Sequence, residues 1–269
     1  MRNSRAGKHR SRFVRPPAGG GGVHAMPDSH AAEPSMQDRV SPEEWAIRVD
    51  LAALYRLCAR HGMTDLTYTH LSARVPGDED AFLLNPWGLL FEQVTASNLV
   101  KVDTEGNLLG ENRYGVNAAG FTIHSAVHMA RPDLACVAHT HTRTGIALAA
   151  LPQGLRPLNQ KAMQFHGRIA YHDYEGIAFD LDERERLTAD MGDADVMVLK
   201  NHGFLVGGRS VREAWARLYD LEKAAKTQML AEATGAPLAT LSEAFLDEHE
   251  NRPRASRSYN PYAGWESQL

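Results

Sequence analysis

Residues 121–150 read FTIHSAVHMARPDLACVAHTHTRTGIALAA and hold four of the thirteen histidines of the 269-residue chain. The spacing over 118–131 is helical and is ended by Pro132, whereas LACVAHTHT at 134–142 is apolar and β-rich, the mark of a buried strand. Strand side chains alternate between faces, so His139 and His141 are expected to point the same way, about 7 Å apart at the backbone. Two imidazoles on one face can converge on a cation with bonds of roughly 2.0–2.1 Å, leaving a third ligand to come from elsewhere. His202, in an Asn-His-Gly turn between the apolar runs ADVMVLK and FLVGG, is placed to supply it. The bland alternative is that an isolated His-x-His marks two hydrogen-bonded core residues. His124 and His128 also have the four-residue spacing of a helical zinc pair. No Glu follows the first of them, so packing or support of the ligands is their expected role.

Working outward, Ser41 with Pro42 and Glu44 forms a capping box with Pro at the first helical position. Ile47, Leu51, Leu54 and Cys58 continue it as an apolar helical stripe. THLSARV and AFLLNP read as strands, followed by a Pro-Trp-Gly turn at 86–88. A short helical turn near Thr95, a strand over Leu99–Val102 and a turn at 105–107 come next. Beyond His202, Ser210 and Glu213 box the start of a long helix that ends near Gly235, and Thr240 with Glu243 caps a shorter one. Helices that open and close a strand-rich middle predict an α/β fold, a three-layer αβα sandwich. The expected organisation is a disordered N-terminal tail over 1–40, one domain over 41–245 and a C-terminal extension over 246–269.

A net charge of −4 argues against nucleic acid as a partner, because phosphate neutralisation needs an excess of Lys and Arg. A small molecule or another copy of the chain is the expected partner. No apolar run approaches the roughly 20 residues needed to span a bilayer. Cys58 and Cys136, far apart in apolar patterns, read as buried thiols of a cytoplasmic protein rather than a disulfide. The first 22 residues carry six Arg or Lys, a Pro pair and four consecutive glycines, a composition that cannot bury a core. They lack the amphipathic face of a transit peptide and the apolar region of a secretory signal. Translation from Met26 or Met36 would remove all of them.

Three stretches, FLLNPWGLLFEQVTASNLVKVD (82–103), NAAGFTIHSAVHMARPDLACVAHTHT (117–142) and LKNHGFLVGG (199–208), resemble the class II aldolase/adducin superfamily in order and spacing. The resemblance runs from about residue 42 to 235. It implies a sheet between helical layers and commonly a homotetramer with active sites at subunit interfaces. It also implies a divalent ion (Zn, Mn or Fe) held by His139, His141 and His202, whereas adducin itself uses the fold without such a site.

The chain departs from the aldolases at several positions. Ala118, Ala119, Gly120 and Phe121 stand where aldolases carry Ser-Ser-Glu-Trp, so the catalytic carboxylate and both hydroxyls are gone. Thr69-His70 replaces a Gly-Asn pair, and Trp87-Gly88 replaces Thr-Gly. These changes remove donors that a phosphate needs and add aromatic surface, which points to an unphosphorylated, flat or aromatic carboxylate or carbonyl substrate. The substrate pocket is expected to comprise Trp87, Gly88 and residues 118–121. General acid/base catalysis must then come from another group, with His70, His124 and His166 the main candidates and Tyr171 and His172 further ones. Arg143 is preferred over Lys161 for holding a carboxylate.

The leading expectation is a metal-dependent carbon–carbon lyase, of decarboxylase or aldolase type. The missing Glu tilts it toward decarboxylation, which needs no hydroxyl deprotonated. A non-haem Fe(II) oxygenase that oxidatively decarboxylates an aromatic 2-oxo acid is the second expectation. A non-catalytic adducin-like interaction module is the third.

Overall fold

The computed structural model describes residues 35–110, 112–176, 182–250 and 264–269. Ser41 caps helix α2 (Pro42–Arg60) through Oγ, which accepts from the Glu44 N–H at 3.1 Å. The helix buries Leu51, Leu54, Tyr55 and Cys58, so the sequence stripe is its core face. The rest of the N-terminal tail lies outside the described residues, apart from a single helical turn, α1 (Met36–Arg39).

Seven strands form one sheet: β1 (His70–Val75), β2 (Asp78–Leu84), β3 (Val100–Asp103), β4 (Cys136–Thr140), β5 (Ile169–His172), β6 (Val196–Leu199) and β7 (Gly203–Gly208). Their spatial order is β3-β2-β1-β4-β7-β6-β5, antiparallel throughout except for the β5–β6 pair. The period of two sorts the side chains between faces. Leu71, Ala73, Cys136, Ala138, Val198, Phe204 and Val206 join a core with α2 and α6 (Val211–Glu232), against which α4 (Arg143–Ala149) also packs. Val137, Met197, Leu199 and Leu205 point the other way, onto α3 (Ala118–Ala130) and α5 (Glu183–Met191). The αβα sandwich is therefore the observed architecture. His70, Ser72 and His139 have the parity of the α3 face, which decides what they can meet.

Several boundaries differ from the sequence reading. β4 stops at Thr140, so His141 lies just past the strand end rather than within it. The helical turn near Thr95 is present, with the Asn98 and Leu99 N–H groups donating to the Thr95 carbonyl at 3.2 and 3.3 Å, and a 3₁₀ turn at Phe91–Gln93 precedes it. Ser242 rather than Thr240 caps α7 (Glu243–Glu250), with Oγ accepting from the Phe245 N–H at 3.3 Å. Consequently α7 runs past the domain limit expected at 245. Cys58 and Cys136 are free, fully buried thiols, and burial pushes both pKa values up. Among the described residues no helix is long and apolar enough to cross a membrane.

Candidate metal centre

His139 reaches the α3 face near the end of β4, His141 follows two residues later, and His202 comes from the β6–β7 turn alongside. That turn is set by Asn201, whose φ of 57° is left-handed, a conformation Asn tolerates better than most residues. The Asn201 N–H donates to the Ala149 carbonyl at 2.9 Å and the His202 N–H to the Leu199 carbonyl at 3.0 Å. The result is convergence: Nε2 of His141 lies 2.8 Å from Nε2 of both His139 and His202.

The partners on the far side of two rings decide what these contacts are. His139 Nδ1 lies 2.9 Å from the Phe204 carbonyl oxygen, which can only accept, so the proton of this neutral ring sits on Nδ1. His141 Nδ1 faces an Asp65 carboxylate oxygen at 3.1 Å and is protonated for the same reason. Both Nε2 atoms therefore carry lone pairs and point at each other with no proton between them. A shared cation would resolve that repulsion, and the donor set is one that could hold it: three imidazoles, each offering one nitrogen, all within 4.8 Å of one another. Burial, the dominant cause, holds the pKa of His139 well below the ordinary range, that of His141 below it despite Asp65, and that of His202 at about 4. Asp65→Ala is expected to weaken metal affinity about tenfold, the lower end of what loss of such a support costs, since Asp65 is 42% exposed. Competition with a chromogenic chelator measures this directly.

His70 lies beside the triad. It pairs with His139 across β1 and β4, and the two rings stack with centroids 6.0 Å apart. The Asn117 amide donates to its Nε2 at 2.9 Å, which leaves the proton on a buried Nδ1 that has no hydrogen-bond partner. Its other face lies on Gly120: a Cβ added there would come within 2.5 Å of the imidazole.

The other expected site residues are dispersed. His124 and His128 are buried in α3 and share Ser72 Oγ, at 2.6 and 2.8 Å respectively. His124 is thus a core residue in contact with His70, with no exposure to a substrate, because its helix face turns onto the sheet. Burial lowers both pKa values to about 3 from the ordinary 6.5. The unfolded chain therefore binds more protons between these limits, and stability is complete above pH 6.5 and lost as pH falls toward 3. Each histidine is expected to cost up to about 1.4 kcal/mol per pH unit in that window. Urea midpoints compared at pH 7 and pH 5 test this, and equal midpoints would refute it.

His166 Nε2 lies 3.8 Å from a Glu250 carboxylate oxygen, away from the triad's contacts. His172 is buried against Asp190, with Nδ1 at 2.7 Å from its carboxylate, and the Tyr171 hydroxyl accepts from the Leu155 N–H. Lys161 is paired with Asp220 at 2.5 Å. Phe121 is corrected from pocket to core: it is 2% exposed and stacks on Phe82, because its position in α3 faces the sheet. Ala118 opens α3 two residues before Gly120, and Ala119 lies between them. Trp87 is 44% exposed, next to Gly88 at φ 84°. Arg143 does share space with one of the ligands: a cleft of about 1020 Å³ is lined by His141, Asp65, Arg143, Glu222, Lys223 and Lys226. The sequence reading missed Asp65 and Tyr174, an exposed ring whose centroid lies 6.4 Å from that of His202. Neither carries a motif, and proximity to His202 arises only from pairing of β5 with β6.

Residues 49–229 match the family model described as the Class II Aldolase and Adducin N-terminal domain. The crystal structure of an aldolase II superfamily protein from Pseudomonas syringae is 49% identical, with a TM-score of 0.81 over 87% of this chain and 95% of that one. Alpha-adducin from Rattus norvegicus is 42% identical over 71% of this chain, which spans 27% of the adducin. L-fuculose 1-phosphate aldolase from Glaciozyma antarctica is 26% identical, with a TM-score of 0.72 over 90% of this chain and 92% of that one.

Proposed function

This chain belongs to the class II aldolase and adducin family, and from that premise we propose that it is a metal-dependent carbon–carbon lyase. The reaction is decarboxylation, or an aldol-type cleavage, of an unphosphorylated carboxylate or carbonyl compound, with an aromatic one suited to the exposed rings nearby. The observation that carries this reading is the convergence of the His139, His141 and His202 Nε2 atoms, the first two with no proton between them. A divalent ion held there supplies Lewis acidity, polarising substrate oxygens so that negative charge can develop beside them.

The chain's own residues do the rest. Arg143 stands in the cleft it shares with His141 and can hold a carboxylate by two parallel hydrogen bonds. His70 lies against His139 and offers an N–H but no carboxylate. With glycine at position 120, no side chain on that turn of α3 can take a proton from a substrate hydroxyl, which favours decarboxylation. Trp87 and Tyr174 present exposed rings that suit an aromatic substrate, the latter next to His202. Assembly as a homotetramer belongs to the same reading.

The test is elemental analysis of protein purified without tag-derived metal, followed by assay of carbon dioxide release from aromatic 2-oxo acids before and after chelation. Near-stoichiometric zinc or manganese with chelator-sensitive turnover is the expected result. Iron with oxygen consumption would move the chain to the oxygenase alternative. A second reading, a binding module, is favoured by the 42% identity to alpha-adducin against 26% to the fuculose-phosphate aldolase. Failure to take up metal after reconstitution would leave that reading in place of the lyase.

A further inference from the structure

The ring of His70 fills the volume in which a side chain at position 120 would begin. One face of the imidazole rests on the bare Cα of Gly120, and the other stacks on His139. Asn117 grips Nε2 along the ring edge. A side chain on Gly120 and an imidazole at position 70 therefore exclude one another. The consequence is electrostatic. Among the described residues the ligand set contains histidines alone; Asp65 meets His141 on the Nδ1 side, away from the converging nitrogens, and Glu222, which lines the same cleft, accepts from the Thr142 hydroxyl. His70, with its Nε2 accepting from Asn117, adds no negative charge.

We infer that this exchange leaves the three-histidine site without a carboxylate of its own, so that it selects an anionic chelator, a 2-oxo or 2-hydroxy carboxylate, over a neutral carbonyl compound. Three neutral imidazoles would offer a bound divalent ion no directly coordinated negative charge, and in a partly buried place attraction to an anionic ligand is screened less than in water. A ligand with one or two negative charges and vicinal oxygens supplies that charge, whereas a neutral ketone or aldehyde does not. The inference rests on the proposed metal site and narrows its substrate class from carboxylates and carbonyls in general to anions.

The experiment uses the full chain loaded with Co²⁺, whose visible absorption reports ligand exchange. The probes are oxalate, a dianion, and methyl pyruvate, a neutral molecule that also has vicinal oxygens. Oxalate is expected to bind the wild type at least about tenfold more tightly than methyl pyruvate. In the double variant His70→Ala, Gly120→Glu, which makes room for a carboxylate and supplies one, oxalate affinity is expected to fall about tenfold with metal content unchanged. Equal binding of the two probes to the loaded wild type overturns the inference and needs no variant to fold. Undiminished oxalate binding in a metal-replete double variant overturns it as well. A wild-type protein that takes up no cobalt refutes the metal site itself, a failure distinct from uptake without discrimination.

Discussion

His141→Ala is expected to reduce bound divalent metal from about one ion per chain to none, because two imidazoles alone rarely hold an ion against solvent and buffer. Among the three ligands His141 is central: its Nε2 contacts both of the others, so removing it leaves no bridge between His139 and His202. The stability readout follows by linkage. At a free metal concentration about 1,000 times the Kd, the wild type gains about 4 kcal/mol from binding, and the variant gains nothing. The metal-free proteins should differ less, since truncating a ring that is only 17% exposed carries a cost, but its loss also relieves the lone-pair contact with His139. Melting temperatures with and without zinc, read beside elemental analysis, separate these effects. Retention of full occupancy in the variant would refute the assignment of the ligands.

Gly203→Ala is expected to destabilise the fold by about 1–3 kcal/mol and to weaken metal binding in the same step. The backbone of Gly203 is not left-handed; Asn201 takes that role in the turn. What Gly203 provides is space. A Cβ there would fall inside van der Waals range of the Thr140 carbonyl oxygen and in tight contact with the His141 ring. The neighbour is main chain, so no rotamer change can relieve the overlap, and the end of β4 must move with His141 attached to it. Denaturant midpoints and chelator competition on the same preparation test both halves. A variant as stable as wild type with unchanged metal affinity would show that the strand end is more compliant than its packing implies.

How much of this was legible in the sequence depends on the range of the forces involved. Local rules sufficed for α2, where the Ser41 cap and the Leu51, Leu54, Cys58 stripe are facts of neighbouring residues. They also sufficed for the β6–turn–β7 segment that carries His202. His139 and His141 were legible as a pair through strand periodicity, although β4 ends between them and the convergence is completed by the chain beyond it. By contrast, β5 and α5 have weak periodic patterns and take their places largely from packing against β6 and α3. Phe121 was misplaced because a residue beside a site motif can still face the sheet, and only the phase of α3 decides which. The seating of His70 on Gly120 was invisible: it joins residues 50 apart through a steric contact that neither residue type announces.

The pairing of β4 with β7 at the centre of the sheet has a kinetic meaning as well. His139 stands opposite Leu205, so the ligands come together only after a loop of about 60 residues has closed. Loop closure of that length is paid before any metal contact can reward it, and a nascent chain that has not paired these strands offers no complete ligand set. An ion held by these residues would therefore not guide the chain to its fold. It would act afterwards, as a latch on the finished sheet, lengthening the lifetime of the native state while leaving the rate of its formation nearly untouched.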